Sequence, residues 1–302
     1  MSCIVLQHVY MLKIMIFTDN PSVNETQLVI KEARSRGIET RVKAPWDIVM
    51  LEHEKLSVDL VYVPSNMLNR GSTFELIHRL LMLKELEDQA SIVINSIESM
   101  LLYSKEHLSI QMEKLNLPTP KTIITENIEY AYNFAAELLD SGKEVVLKPL
   151  CRGRGIGVTM LSGIRSRGDL LQFLTWYNRS FAEGVFYLQE FKPNLGYDIR
   201  CFVIGEKVVG REKRSNPNDF RYNVSAGGQA SPFEDDIYDE LAVKVTKAMG
   251  FKITGIDILP GKDGKPYVLE ANCFPGYTAL IEATGIPIHK KIIDYFEEII
   301  KK

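Results

Sequence analysis

The sequence predicts an α/β protein divided into more than one compact lobe, with later parts of mixed α+β character. Three observations predict it. The chain has 302 residues, too many for one small core. Short apolar stretches of strand length alternate with helix-like stretches up to about residue 97, the pattern of a parallel sheet with crossover helices. From Phe186 onward, strands follow one another through turn signals such as Asn194-Leu-Gly196 and Gly205-Glu206.

Residues 12–17 read as a buried strand. Asn24-Glu-Thr-Gln27 resembles a capping box, opening a helix that runs to Arg36 and stops at Gly37. Residues 40–43, 60–63 and 91–94 are further short strands, with a helix over 74–86. No GxGxxG turn follows the first strand, which weighs against a dinucleotide site there. A second block opens near Ser99. Residues 105–115 are helical, and Leu117-Pro-Thr-Pro-Lys121 is extended because proline cannot continue a helix. A strand at 122–125, a helix at 128–139 and a strand at 144–148 lead into a glycine-rich loop. The chain closes on a helix with Ile292, Ile293, Phe296, Ile299 and Ile300 on one stripe. These divisions give domains at 1–97 (with 1–10 as an extension before Met11), 98–185 and 186–302.

Composition is that of an ordinary soluble protein, 45% hydrophobic and 25% charged, and the net charge of −3 gives no field favouring nucleic acid or an anionic membrane. The run Arg211-Glu-Lys-Arg214 reads equally as a solvated strand end or as a site for an anionic substrate. Cys3, Cys151, Cys201 and Cys273 form no CxxC pair, so neither a disulfide framework nor zinc is expected, and a cytoplasmic setting is. The first 17 residues lack the basic leader and cleavage pattern of a signal peptide. No apolar run reaches the ~18 residues of a membrane span. His8, His53, His78, His107 and His289 are scattered and read as ordinary surface or core residues.

The chemistry concentrates late. Asp257 lies in one strand-like stretch, Glu270 and Asn272 in the next, with the turn cluster 260–266 between them. A hairpin brings the three together, and Glu270 and Asn272 share a face by strand parity. Oxygen donors of this kind suit a hard cation that also holds phosphate. Lys148 precedes Cys151-Arg-Gly153-Arg-Gly155-Ile-Gly157, a loop whose backbone can fold over phosphates as a flap. Glu190 and Phe191 end a strand and can offer backbone groups and a ring to a flat base. Asp198 and Arg200 share a face, as do Arg221 and Asn223, followed by Gly227-Gly228.

The ordered set — Lys105, Lys148-Pro with its glycine loop, Gln189-Glu190-Phe191, Asp198-Ile-Arg200, Asp219-Phe-Arg221-Tyr-Asn223, Gly255-Ile-Asp257-Ile-Leu and Glu270-Ala-Asn272-Cys-Phe-Pro-Gly276 — resembles the ATP-grasp superfamily, RimK-type glutamate ligases in particular. The resemblance implies a Rossmann-like pre-ATP-grasp domain followed by a two-lobed ATP-grasp fold. It implies that Lys105, Lys148, Gly153 and Gly155 meet the ATP phosphates and that Glu190 and Phe191 flank adenine. Asp198, Arg221, Tyr222 and Asn223 would line the nucleotide pocket. Asp257, Glu270 and Asn272 would hold two Mg2+ or Mn2+ ions. Arg200 would face the reacting phosphate, with Arg221 as second catalytic residue, and the Pro275-Gly276 loop would present backbone N–H groups to substrate. The loop departs from the usual Gly-Ser/Thr-x-Gly by carrying Arg152 and Arg154, and the 192–196 segment is slightly short. The implied activity joins an amino acid, L-glutamate first, to a carboxylate on a protein C-terminus or a cofactor tail through an acyl phosphate. It leaves room for a homo-oligomer and involves neither nucleic acid nor membrane. The rival readings are an ATP-grasp kinase and a non-catalytic ATP-binding module.

Overall fold

The computed structural model describes residues 11–49, 57–65, 72–89, 92–150, 155–161, 163–164, 166–180 and 184–301. Cys3, His8, His53 and the loop residues Cys151, Arg152, Gly153 and Arg154 lie outside them, as does the extension at 1–10. In chain order the elements begin β1 (Lys13–Phe17), α1 (Asn24–Ser35), β2 (Glu39–Lys43), β3 (Leu60–Tyr62), α2 (Thr73–Gln89), β4 (Ile92–Ile94), α3 (Ile97–Leu101), α4 (Lys105–Lys114), β5 (Thr122–Thr125) and α5 (Ile128–Asp140). They continue β6 (Glu144–Leu147), β7 (Thr159–Met160), α6 (Arg167–Ser180), β8 (Phe186–Phe191), β9 (Tyr197–Ile204), β10 (Lys207–Ser215) and β11 (Gln229–Pro232). The last are α7 (Asp239–Ala248), β12 (Ile253–Pro260), β13 (Pro266–Asn272), α8 (Thr278–Thr284) and α9 (Ile288–Ile300). None of the described helices is long and apolar enough to cross a membrane.

The chain forms two compact units. The first holds residues up to Ile97 together with Pro287–Lys302. Its sheet runs β2-β1-β3-β4, all parallel. Ile14, Met15, Ile16 and Phe17 are fully buried, as a central parallel strand requires. The capping box expected at Asn24 does not form: Val23 is the N-cap without a side-chain bond, and the Gln27 amide donates to Pro21 O instead. The stop at Gly37 does form, with φ +76° and N–H bonds from Gly37 to Arg34 O and from Ile38 to Ala33 O. The stripe on α9 buries Ile292, Ile293 and Phe296 completely and packs against α1. Arg36 of that pair reaches Asp294 at 2.6 Å. This helix therefore belongs with the N-terminal unit, not with the 186–302 block to which sequence alone assigned it.

The second unit, Glu98–Ile286, contains two sheets. The smaller runs β5-β8-β6-β7 in antiparallel pairs. Helices α5 and α6 cover it through a core that includes Phe134, Leu138, Leu174 and Phe186. Asn127 caps α5 by accepting from the N–H groups of Glu129 and Tyr130. Because β8 sits between β5 and β6, the lobe boundary expected at 185 falls one strand early.

The larger sheet runs β11-β10-β9-β12-β13, all antiparallel. Strand parity divides its two faces. Ile199, Cys201, Val203, Ile256 and Ile258 are buried on the face that α7 covers. The opposite face carries Asp198, Arg200, Glu212, Arg214, Asp257 and Glu270. A bulge in the β12–β13 hairpin sets Asp257 opposite Glu270 but Ile258 opposite Val268, so Leu269 is the extra residue.

The segment after β10 is held tightly. Asn216 Nδ2 donates to Arg221 O and Ala226 O, and Gly228 N–H donates to Asn223 O. A Cβ on Gly228 would lie 2.2 Å from Tyr222 O, whereas one on Gly264, at φ +78°, would meet nothing within 4 Å. Gly228→Ala is therefore expected to destabilise the protein by about 2 kcal/mol or more, and Gly264→Ala by about 1 kcal/mol from backbone strain alone. Urea unfolding checks this; equal midpoints for the two variants would show that the loop yields without cost.

Candidate active site

A cleft of about 890 Å³, open mouth included, lies in the second unit. The smaller sheet contributes Val146, Lys148, Gln189, Glu190 and Phe191, and the larger sheet Asp198, Asp257, Leu259, Leu269 and Glu270. Lys105 at the start of α4, Gly155 and Val158 of the glycine loop, and Phe220 to Asn223 complete it. Eleven of the predicted residues thus share one cavity: Lys105, Lys148, Gly155, Glu190, Phe191, Asp198, Arg221, Tyr222, Asn223, Asp257 and Glu270. Arg200 and Asn272 stand outside its lining.

Lys148 donates from Nζ to Gln189 Oε1 at 2.5 Å, and Lys105 Nζ to Leu150 O at 3.3 Å. Burial, and then the charge of Lys105, lower the Lys148 ammonium, and Glu270 partly offsets both, leaving it at about 8. Two amines in a partly dry cleft form a receptacle for an anion. The Glu190 carboxylate binds Lys143 at 3.2 Å and Lys192 at 2.9 Å. Burial opposes its ionisation, but these two lysines hold it below the usual carboxylate range. Its side chain is thus spoken for. Phe191 meets Phe220 edge-on, and Leu259, Leu269 and Tyr222 supply an apolar floor.

Beneath the cleft runs a buried ion network. Arg200 donates from Nε and Nη2 to Asp257 Oδ1 and Oδ2 at 2.7 and 2.8 Å. Arg214 does the same to Asp198 at 2.8 and 2.5 Å, and its Nη2 also lies 2.8 Å from Asp257 Oδ2. Arg214, Asp198 and Asp257 are all 5% exposed or less. Burial raises both carboxyls; two guanidinium groups overturn this at Asp257, holding it low, while one does not at Asp198, which stays raised.

The hydrogen bonds show where three of the expected groups are engaged. Arg214 and Glu212 belong to the site face, so Arg211-Glu-Lys-Arg214 is not simply a solvated strand end. Parity was the available signal: 212 and 214 match 200 and 198 across β10 and β9. Arg200 is bound to Asp257 rather than turned into the cleft. Arg221, the other expected catalytic residue, pairs with Asp219 in its own loop and donates from Nη1 to Gly155 O at 2.9 Å. It ties the described part of the glycine loop to the cleft wall.

Of the three residues expected to hold metal, Asp257 and Glu270 face each other and Asn272 lies outside the cleft lining. No three His, Cys, Asp or Glu side chains gather into a metal cluster among the described residues. Asp257 and Glu270 nevertheless face each other across the ladder, a like-charge pairing that destabilises a sheet unless a cation relieves it. A carboxylate has about four lone-pair sites, and Asp257 uses three on guanidinium N–H groups. Hard anionic oxygens of this kind fit Mg2+ or Mn2+. Asn272 Oδ1 accepts from Phe274 N–H at 2.9 Å and from Tyr103 OH at 3.2 Å, so its amide is engaged within its own loop.

Comparison with known proteins agrees with this geometry. Residues 95–296 match the RimK-like ATP-grasp domain. The chain is 34% identical over 234 residues to the tetrahydromethanopterin:alpha-L-glutamate ligase of Methanococcus maripaludis, covering 75% of this chain and 76% of that one. It is 30% identical over 219 residues to a probable alpha-L-glutamate ligase of Haemophilus influenzae, 71% of this chain and 70% of the relative. The ATP-grasp ligase PsnB, solved with minimal precursor, Mg and ADP, matches with a TM-score of 0.73 over 97% of this chain and 99% of that chain. At 21% identity that likeness speaks for the fold. The cleft, the two sheets that wall it and the match across 95–296 lead to one conclusion: the chain belongs to the RimK-like ATP-grasp family.

Proposed function

We propose that this protein is an ATP-dependent, ADP-forming ligase that joins an amino acid to a carboxylate through an acyl phosphate. One observation carries the reading. A single cleft holds two amines, Lys105 and Lys148, and the opposed carboxylates Asp257 and Glu270, the two halves of a site for a metal-bound triphosphate. The names of the relatives point to L-glutamate as the amino acid and, in one of them, to tetrahydromethanopterin as its acceptor; the family resemblance adds a protein C-terminus as the other candidate carboxylate. The two buried cysteines among the described residues are free thiols, in keeping with a cytoplasmic setting.

In this scheme Lys105 and Lys148 bind and orient the phosphates, and Phe191, Leu259 and Leu269 enclose the adenine. Asp257 and Glu270 would hold Mg2+ or Mn2+, two ions by family resemblance, with Asn272 joining once its contact with Tyr103 yields; the metal would neutralise charge on the phosphates. Arg200 and Arg214 fix the Asp257 carboxylate. A substrate carboxylate oxygen attacks the γ-phosphorus and ADP leaves. The amine then attacks the acyl carbon, the C–O bond to phosphate breaks, and the nitrogen loses a proton. Arg221, by holding Gly155, fixes the described end of the glycine loop at the cleft wall, where it helps keep water from the acyl phosphate.

A substrate carboxylate labelled with heavy oxygen tests the scheme. One label is expected in released phosphate per turnover. Retention of all label in the product, or a stable phosphorylated alcohol, would instead indicate a kinase. Glu270→Ala is expected to lower ADP release at least about a hundredfold, because transition-state charge loses its partner; near-normal release would remove the metal assignment. Lys148 gives a pH signature. In the free site its ammonium titrates at about 8, and bound phosphate favours the charged form. ATP affinity should therefore fall as pH rises through about 8, and Lys148→Arg should flatten that profile in calorimetric titrations. Folding stability moves the other way. Between about 8 and 10.5 the unfolded lysine binds the proton and the folded one does not, so this group's contribution rises with pH across that window.

A further inference from the structure

One row of side chains crosses the larger sheet: Glu212 on β10 opposite Arg200 on β9, Arg200 opposite Asp257 on β12, and Asp257 opposite Glu270 on β13. With the neighbouring Arg214–Asp198 pair, this patch carries four carboxylates and two guanidinium groups. The hydrogen bonds of both guanidiniums go to Asp257 and Asp198. Glu212 is left over. Its residue is 3% exposed, and its Oε2 is buried with no hydrogen-bond partner. A buried carboxylate oxygen in that state is costly, so the site is built to receive a donor that it lacks alone.

The position of Glu212 limits what the donor can be. Arg200 separates it from the Asp257–Glu270 pair, so it lies at the opposite end of the row from the expected metal. With no third acidic, histidine or cysteine side chain gathered there and a guanidinium beside it, the spot suits a hydrogen-bonding monovalent cation better than a divalent ion. Its roof is the segment that follows Pro275-Gly276: Tyr277 meets Phe202 of the same sheet face edge-on, and α8 packs on β10 and β11. Burial pushes the Glu212 carboxyl up against the pull of Arg200 and Arg214, as expected of a carboxylate short of cations.

We propose that Glu212 is the specificity residue for the amine, its carboxylate accepting hydrogen bonds from the amino group of the amino-acid substrate. The assignment rests on the ligase reading and deepens it. It sets the amine on the other side of Arg200 from the Asp257–Glu270 pair.

The test is calorimetric binding of L-glutamate and of glutarate, the same diacid without the amino group, to the full chain with Mg2+ and a non-hydrolysable ATP analogue. The wild type is expected to prefer L-glutamate by about tenfold or more, the scale of one charged hydrogen bond. Glu212→Gln should erase that preference by weakening L-glutamate alone, with glutarate and the nucleotide analogue unchanged. A wild type without the preference overturns the assignment, as does a variant that keeps it. Equal losses for glutarate and the nucleotide analogue also overturn it, leaving Glu212 as a support for the arginines. The ligase reading fails on a separate readout, when labelled carboxylate oxygen never reaches phosphate.

Discussion

The second unit is organised around Asp257, a carboxylate held from two sides by guanidinium groups in a place where water cannot solvate it. Breaking a buried pair by removing one partner typically costs about 3–5 kcal/mol, because the survivor stays charged and unpaired. Strands β9, β10 and β12 are locked together by this requirement as well as by their ladders. The bulge at Leu269 is part of the same constraint, since it keeps Glu270 in register with Asp257 while Ile258 and Val268 continue the apolar pairing. The bulge thus keeps the apolar pairing on the α7 face and the ionic row on the other in phase along β12 and β13.

The cleft shows a second use of burial. At Lys148 the low dielectric works against the charged form, and Lys105 adds to it. At Asp257 the same burial is overcome by paired arginines. One end of the cavity is therefore poised to gain charge stabilisation from an anion, while the other holds fixed negative charge. A triphosphate with its metal satisfies both ends, and neither phosphate nor cation alone does so.

Much of this was legible in the sequence because it is local. The β12–β13 hairpin announced itself through Pro260-Gly-Lys-Asp-Gly264, and eleven of the predicted residues meet in one cleft. What escaped was non-local. Nothing near Ile288 says that α9 packs on α1, two elements more than 250 residues apart, since any apolar stripe needs only a complementary face. The capping box at Asn24 failed because Gln27 found Pro21 O first. Arg214 and Glu212 were hidden by a composition that looks like solvated charge; only the pairing of β10 with β9 turns alternate members of that run inward. Arg200 was placed on the right face, but its partner across the ladder, Asp257, captured it.

The charge sequence across four strands explains why this face is incomplete by itself. Neighbouring strands lie about 4.8 Å apart, so Glu212, Arg200, Asp257 and Glu270 form a row about 14 Å long with signs minus, plus, minus, minus. A row that alternated fully would satisfy itself and have no use for a ligand. Here Arg200 commits its bidentate contact to Asp257, which starves Glu212 at one end and leaves Glu270 facing a like charge at the other. Both deficits are of positive charge, one next to Arg200 and the other next to Asp257. Under the two proposed assignments, a metal at one end and an amine at the other, the distance between the cations is set by strand spacing rather than by loop conformation.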